Sequence, residues 1–119
     1  MKTDGRGLLL VMMEIDPEHE DDFNRWYAEE HIPERLGIPG ILSARRFKVT
    51  EGSPKYLALY ELESPAVLDS EAYKYWYEGG GRTEWTDRVL GRLTAFVRNV
   101  YVEVSYDGAR TLAPPATDE

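Results

Sequence analysis

His31 is the side chain of this sequence best suited to acid–base chemistry. It closes the stretch Trp26-Tyr27-Ala28-Glu29-Glu30-His31, shortly before a proline that disfavours helical geometry at the preceding residue, Ile32. We therefore expect a helix end or bend there, with room for a cleft. An imidazole titrates near neutral pH, which suits proton transfer. Tyr27 lies four residues earlier and shares its helix face, so the pair is predicted to be catalytic, with His31 as acid/base and Tyr27 as hydrogen-bond donor.

Plainer roles are open to the same residues and to their charged neighbours. His31 could instead bond free carbonyls at the end of the helix, where its charge would favour the dipole. Glu30 would act as a base if it is buried, but a carboxylate at a helix end is often solvated or paired, for example with Arg35. Arg45 and Arg46 are adjacent on a predicted strand, so they face opposite ways. Whichever of them faces a cleft could bind a carboxylate or an enolate there.

Aromatic residues make up 12% of the chain, and many fall on the predicted helices and strands. Rings that bury one edge and offer a polar tip commonly line pockets for flat ligands, although they are also ordinary core residues. As a group they favour an aromatic-lined cavity that binds a small molecule. The predicted ligand-binding residues are Trp26, Arg45, Arg46, Tyr60, Trp76 and Trp85.

No metal site or cofactor is predicted. His19 and Asp22 have a spacing that metal ligands use, but the first turn of a helix is often acidic because of the helix dipole. The run Gly79 to Gly81 lacks the strand–loop–helix context of a phosphate cradle and is interpreted as a flexible joint or a lid over a cleft. The chain has no cysteine, which excludes disulfides, thiolate nucleophiles and cysteine-ligated zinc.

The elements that must position these residues follow the order β-α-β-β-α-β, with an extra short helix before the last strand. That order is typical of the ferredoxin-like α+β fold, a four-stranded antiparallel sheet with helices on one face. Proline and serine or aspartate mark two helix starts, and glycine-rich turns separate the strands. The predicted strands are 7–15, 41–49, 56–62 and 95–104, and the predicted helices are 16–32, 64–77 and 83–90.

The first predicted strand is apolar on both faces, and the third adds Leu57 and Leu59. Helices on one side leave the opposite side of the sheet uncovered, and such an apolar face is commonly a protein–protein surface. Two copies packed sheet against sheet would cover it. The sequence therefore predicts a homodimer.

Size and charge set further bounds. The 119 residues fit one domain, predicted as 1–106 and followed by a flexible acidic, proline-containing tail at 107–119. A net charge of −8 and a pI near 4.8 repel phosphate backbones, so no nucleic-acid partner is predicted. The apolar run 8–13 is too short for a signal peptide or a membrane span. We expect no membrane association and a cytoplasmic location.

The stretch from Trp26 to Leu36, with its W-Y-x-x-E-H-x-P pattern, resembles the EthD-like family of the dimeric α+β barrel superfamily. The strings Ser43 to Phe47 and Pro54 to Leu62 fit as well, and the likeness covers about residues 7–104. The resemblance implies a dimer whose sheets face each other, with a ligand cleft between sheet and helices in each subunit. Other barrels of this type include cofactor-free monooxygenases, isomerases, cyclases, lyases and haem enzymes.

Three functions are compatible with this reading. The first is a cofactor-independent enzyme, of isomerase, cyclase, lyase or oxygenase type, acting on a small aromatic or polyketide-like molecule. The alternative is a non-catalytic dimeric protein that binds a metabolite or assists a partner enzyme. Haem binding with His31 as axial ligand ranks third. A fold shared by many chemistries does not decide among them.

Overall fold

The computed structural model describes residues 6–104, and it confirms the predicted ferredoxin-like α+β fold. Its strands are β1 (Gly7–Ile15), β2 (Ile41–Lys48), β3 (Tyr56–Leu62) and β4 (Leu93–Val102). Its helices are α1 (Glu20–Trp26), α2 (Ile32–Leu36), α3 (Glu71–Tyr77) and α4 (Glu84–Gly91). A π-helical turn (Tyr27–His31) joins α1 to α2, and short 3₁₀ segments (Pro17–His19 and Pro65–Asp69) precede α1 and α3.

The four strands form one antiparallel sheet in the order β2-β3-β1-β4. Every second residue of β1 is buried beneath the helices, and the register places Leu9 beside Tyr60 on one side and Val100 on the other. Because paired residues point to the same face, each such row runs across the whole sheet. The hydrophobic core lies between this face and the helices.

The sequence left open whether the first helix ends or bends before Pro33, and the structure shows that it does not end there. The backbone N–H of Ile32 donates to the carbonyl of Tyr27, five residues earlier, so the chain makes one wide turn and then continues as α2. Pro33 falls in the first turn of α2, where a missing N–H costs little. A π turn inside a helix often marks a functional site.

The second predicted helix is divided in two. The hydroxyl of Ser64 caps the 3₁₀ segment Pro65–Asp69, and that of Ser70 accepts from the N–H of Tyr73 and caps α3. The helix phase is therefore set at Ser70, not at Ser64. As a result Tyr73 is buried, whereas Tyr75 is 49% exposed.

The remaining element bounds differ little from those predicted. The bounds of β1 and β3 are as predicted, β2 ends one residue earlier, and β4 begins two residues earlier, at Leu93. The predicted tail, 107–119, lies outside the described residues. Within residues 6–104, no helix is long and apolar enough to cross a membrane.

The sheet face opposite the helices is open and partly apolar. One row across it consists of Phe47, Leu57, Met12 and Val97, one residue from each strand. Both ends of this row are solvent-exposed, Phe47 to 43% and Val97 to 38%. The chain alone thus leaves a strip of apolar surface in contact with water.

Candidate functional site

A cavity of about 360 Å³ lies between the helices and the sheet, and we call it the central cavity. The floor comes from β1, β3 and β4, and the walls come from the helical segments on that face. Its lining is mainly apolar and aromatic, with a few polar side chains, which is the usual character of a small-molecule site. The lining residues that concern the chemistry are Trp26, His31, Glu34, Arg35, Tyr60 and Trp76.

The π turn brings His31 into the central cavity. Residues five apart on a regular α-helix do not face each other, yet the rings of Trp26 and His31 stack with centroids 4.3 Å apart and an interplanar angle of 23°. Tyr27 meets the same imidazole edge to face at 5.2 Å. The wide turn therefore brings the ring of Trp26 against that of His31, which a regular helix would hold apart.

The imidazole of His31 is neutral at physiological pH. Burial lowers the pKa of His31 well below its ordinary value, and the positive charges of Arg35 and Arg46 lower it further. A neutral imidazole has one N–H donor and one nitrogen acceptor. In this cavity His31 is thus suited to hydrogen bonding with a ligand, and only weakly to carrying a proton.

Glu34 is the second titratable group of the cavity, one turn beyond the imidazole. Burial and the negative charge of Glu30 raise the pKa of Glu34 to about 7, while Arg35 acts in the opposite direction. A carboxyl group with such a pKa is present in both protonation states near neutral pH. It can therefore accept or donate a proton under ordinary conditions.

Glu30, a candidate base from the sequence, has a structural role here. The hydroxyls of Thr83 and Thr86 both donate to its Oε2. Thr86 also accepts a hydrogen bond of 3.1 Å from Nε1 of Trp26. This network joins α4 to the π turn and keeps the Glu30 charge close to Glu34.

Two residues that line the central cavity have a buried donor with no hydrogen bond of ordinary length among residues 6–104. One is Nη1 of Arg35, whose side chain is only 8% exposed and whose guanidinium lies 5.2 Å above the ring of Tyr73. The other is the hydroxyl of Tyr60, which is 1% exposed. Burial raises the pKa of Tyr60 well above its ordinary value, so the hydroxyl keeps its proton.

Two further arginines line the cavity, and both are bonded within the protein. Arg98 of β4 donates from Nη2 to the hydroxyl of Tyr73 at 3.2 Å. Arg82 donates from Nε to Asp87 at 2.6 Å and from Nη1 to the carbonyl of Tyr77 at 3.0 Å. These contacts hold α3, α4 and β4 around the cavity.

The structure decides which of the two adjacent arginines faces the helices. Arg46 lies on the helix side, with its guanidinium 4.0 Å from the ring centre of Tyr27 and 5.0 Å from that of Tyr56. Its Nε and Nη2 have no partner in the described part of the chain. Arg46 and Tyr27 sit in the layer beside the central cavity and do not line it. The hydroxyl of Tyr27 points at the sulfur of Met13, 3.5 Å away, and burial raises the pKa of Tyr27 to about 12.

Two predicted ligand-binding residues lie away from the central cavity. Arg45 is on the open face of the sheet, 5.5 Å from the ring centre of Phe47. Trp85 packs on the outer side of α4 and donates from Nε1 to Asp22 at 3.1 Å. Asp22 also accepts hydrogen bonds from Nε and Nη2 of Arg88, so its carboxylate is not free to bind a metal ion together with His19.

Glu34, Arg35 and Arg98 line the cavity but were not predicted from the sequence. The first two follow the π turn, whose extra residue changes the direction in which each later side chain points. The available signal for Glu34 was its position three residues after His31, on a helix that continues past Pro33. For Arg98 the only signal in the sequence was the alternation of β4, which places Arg98 on the same face of the sheet as Val100.

A family model described as a domain of unknown function (DUF4286) matches residues 7–103. The chain belongs to this family. The match begins with β1 and extends just past β4, so it covers every strand and helix given above. No curated protein shows significant sequence similarity to this DUF4286 chain.

Solved structures with the same fold come from several microbes. A protein provisionally named an antibiotic biosynthesis monooxygenase, from Bordetella bronchiseptica, has a TM-score of 0.64 at 15% identity, covering 85% of the DUF4286 chain and 99% of its own. A conserved protein from Methanosarcina mazei Go1 has a TM-score of 0.63 at 17% identity, covering 83% and 93%. A NIPSNAP family protein from Agrobacterium tumefaciens C58 has a TM-score of 0.58 at 8% identity, covering 90% and 93%. At such identities these proteins share the fold, and they do not transfer a function.

The EthD-like family that the sequence resembles is not the family whose model matches, so that finer assignment stays a prediction. Among residues 6–104 of this DUF4286 chain, no three or more histidine, aspartate or glutamate side chains are grouped so as to hold a metal ion. The side chains of His31 and Glu34 in the cavity can take part in proton transfer and hydrogen bonding.

Proposed function

We propose that this protein is a cofactor-independent enzyme that moves protons on a flat, aromatic or polyketide-like small molecule in the central cavity. One observation carries the proposal. An aromatic-lined cavity holds a neutral imidazole, His31, together with a carboxyl group, Glu34, whose pKa is about 7. A base is most useful when its pKa lies near the working pH.

The proposed roles differ from those predicted by sequence alone. Glu34 accepts the proton, because its carboxylate is populated at neutral pH and regains a proton readily. His31 orients the ligand by a hydrogen bond, since burial disfavours its charged form. Trp26 and Trp76 provide flat apolar walls for the ring system.

The proposed reaction requires a ligand with an acidic C–H bond beside a carbonyl. The C–H bond breaks, the proton goes to the carboxylate of Glu34, and the electron pair moves to the carbonyl oxygen as an enolate. Return of the proton to a different atom gives an isomerase. Reaction of the enolate with O₂ turns a CH₂ group into C=O with release of one water, which balances without an external reductant.

The test uses 2-tetralone, a flat ketone with acidic protons at C1, in D₂O at neutral pD. Proton NMR follows the loss of the C1 signal, and an oxygen electrode records O₂ uptake in the same mixture. We expect the wild-type protein to speed the exchange above the buffer rate. Glu34→Gln should reduce that acceleration roughly 10²-fold or more, and His31→Ala should raise the half-saturating concentration of ketone.

Matched controls exist within the chain. Glu29→Gln alters an exposed carboxylate on the π turn, and His19→Ala removes the other histidine; neither residue lines the cavity. Both variants should exchange at the wild-type rate. Exchange by the wild type at the buffer rate, with 2-tetralone bound, would replace this proposal with the non-catalytic binding protein. Exchange that Glu34→Gln leaves unchanged would contradict the role of Glu34.

We also propose that the working form is a homodimer whose open sheet faces pack together. The support is the apolar row Phe47, Leu57, Met12 and Val97, which no described residue covers. Apolar surface of this kind is stabilised by removal from water, at roughly 25 cal/mol per Å². A second copy supplies a complementary surface by symmetry.

A further inference from the structure

The charge of the central cavity is opposite to that of the chain. The whole sequence has a net charge of −8. The cavity, in contrast, is lined by the three arginines Arg35, Arg82 and Arg98 and by one carboxyl group, Glu34. Even with Glu34 ionised, the lining therefore carries a net charge of two positive units, because His31 is neutral.

Arg35 stands apart from the other two cationic residues. Arg82 is bonded to Asp87 and Arg98 is bonded to the hydroxyl of Tyr73. Arg35 forms no ion pair with any carboxylate of residues 6–104, and its buried Nη1 has no hydrogen-bond partner there. A buried charge without a counter-ion is strongly unfavourable, and stacking on Tyr73 offsets only part of that cost.

Tyr60 lines the same cavity and also carries a buried donor, its hydroxyl. This hydroxyl is buried and protonated, and it makes no hydrogen bond of ordinary length among residues 6–104, although the hydroxyl of Tyr27 lies near enough to act on its pKa. Leaving a buried donor unpaired costs free energy that a bound acceptor would return. Arg35 and Tyr60 thus line one cavity with two buried donors, and a bound oxygen acceptor would satisfy them.

We propose that the ligand of the central cavity carries a carboxylate, which binds Nη1 of Arg35 and the hydroxyl of Tyr60. This inference rests on the proposed function and specifies its substrate class as flat aromatic acids. Because Arg82 and Arg98 are already bonded within the protein, one guanidinium and one hydroxyl remain, and they match the two oxygens and single negative charge of a carboxylate. The apolar remainder of the cavity accommodates the ring.

The experiment compares 2-naphthoate with 2-naphthamide, its uncharged counterpart of nearly the same shape, by isothermal titration calorimetry at pH 7. Charge-assisted hydrogen bonds strengthen binding more than neutral ones do. We expect wild-type protein to prefer the acid roughly tenfold or more. Arg35→Met should abolish the preference, and Tyr60→Phe should reduce it while leaving the thermal midpoint unchanged or higher.

Arg45→Met is the matched control, because Arg45 lies on the opposite face of the sheet; it should retain the full preference. A purely structural role for Arg35 predicts instead that Arg35→Met unfolds at a lower temperature and weakens acid and amide equally. Preference for the amide, or equal affinity, would overturn the carboxylate inference and leave the enzyme proposal intact. The exchange test with 2-tetralone is independent of this outcome, since that probe is uncharged. Binding of neither naphthalene probe would overturn the carboxylate inference, and the exchange test would then decide the enzyme proposal by itself.

Discussion

Glu34 is the cavity residue whose charge changes within the physiological pH range. Its pKa rises from an ordinary 4.5 to about 7 on folding, because burial and Glu30 disfavour the carboxylate. The folded state therefore binds the proton more tightly than the unfolded state does. By linkage, this group makes the protein less stable as pH rises from about 4.5 to 7, and the loss is complete above that window.

Glu34→Gln removes a carboxyl group whose ionised form is disfavoured in the folded state. We expect the variant to melt at a higher temperature than wild type at pH 8, with a much smaller difference at pH 5. Thermal unfolding followed by circular dichroism measures both. The exposed Glu71→Gln is the control and should show no such change with pH. Equal effects of Glu34→Gln at the two pH values would contradict the assignment.

At the scale of residues, sequence reasoning identified part of the site. His31, Trp26, Tyr60 and Trp76 line the central cavity, in line with an aromatic-rich layer around one histidine. The free donor of Arg35 could not be predicted, because the direction of its side chain depends on the π turn before it. The rings of Trp26, Tyr27 and His31 pack together at that turn, and the sequence alone does not show such packing.

The elements are tied together by one hydrogen-bonded chain. Nε1 of Trp26 donates to the hydroxyl of Thr86, and Thr86 donates to the carboxylate of Glu30. The chain links α4 to α1 and the adjoining π turn, and its Trp26–Thr86 bond spans 60 residues of sequence. It is buried at its centre, where Thr86 is 8% exposed. The position of Glu30, and hence the pKa of Glu34, follows from this link.

Thr86→Val keeps the shape of the side chain and removes its hydroxyl. Trp26 and Glu30 would each lose a partner, so we expect the free energy of unfolding to fall by about 1–3 kcal/mol. Urea denaturation measures it. Thr94→Val, at an exposed position of β4, serves as control and should change stability little. A loss no greater than that of the control would show that the chain does not link the elements.

The order and type of the elements were predictable, because alternation and capping residues mark them locally. β1 and β3 combine strong β-formers with clear turns, and their bounds agree with the prediction. The second helix was misjudged since two serine caps, Ser64 and Ser70, compete within six residues, and only the second sets the phase of α3. The choice between them depends on packing against the sheet.

The whole molecule has one covered and one uncovered sheet face. The uncovered face presents the row from Phe47 to Val97, and polar groups such as Arg45 and Glu61 occupy the neighbouring rows. This pattern, with an apolar centre and a polar rim, is typical of an interface between proteins. The sequence predicted it from the two-sided apolar character of β1.

A glutamate in the middle of a dimer interface would be buried without a counter-ion. We therefore expect wild-type protein to run as a dimer in size-exclusion chromatography with light scattering, and Val97→Glu to run as a folded monomer. Tyr75→Glu, at an exposed site on α3, should remain dimeric. A wild-type monomer at micromolar concentration would contradict the dimer proposal.

The central claim is that the cavity between sheet and helices is the ligand site. Titration of ¹⁵N-labelled protein with 2-naphthoate, followed by heteronuclear NMR, tests it most directly. The account predicts that the largest shift changes fall on residues around the cavity, among them the indole of Trp26 and the backbone of His31, Arg35 and Tyr60. Largest changes on the open sheet face, around Phe47 and Val97, would contradict it.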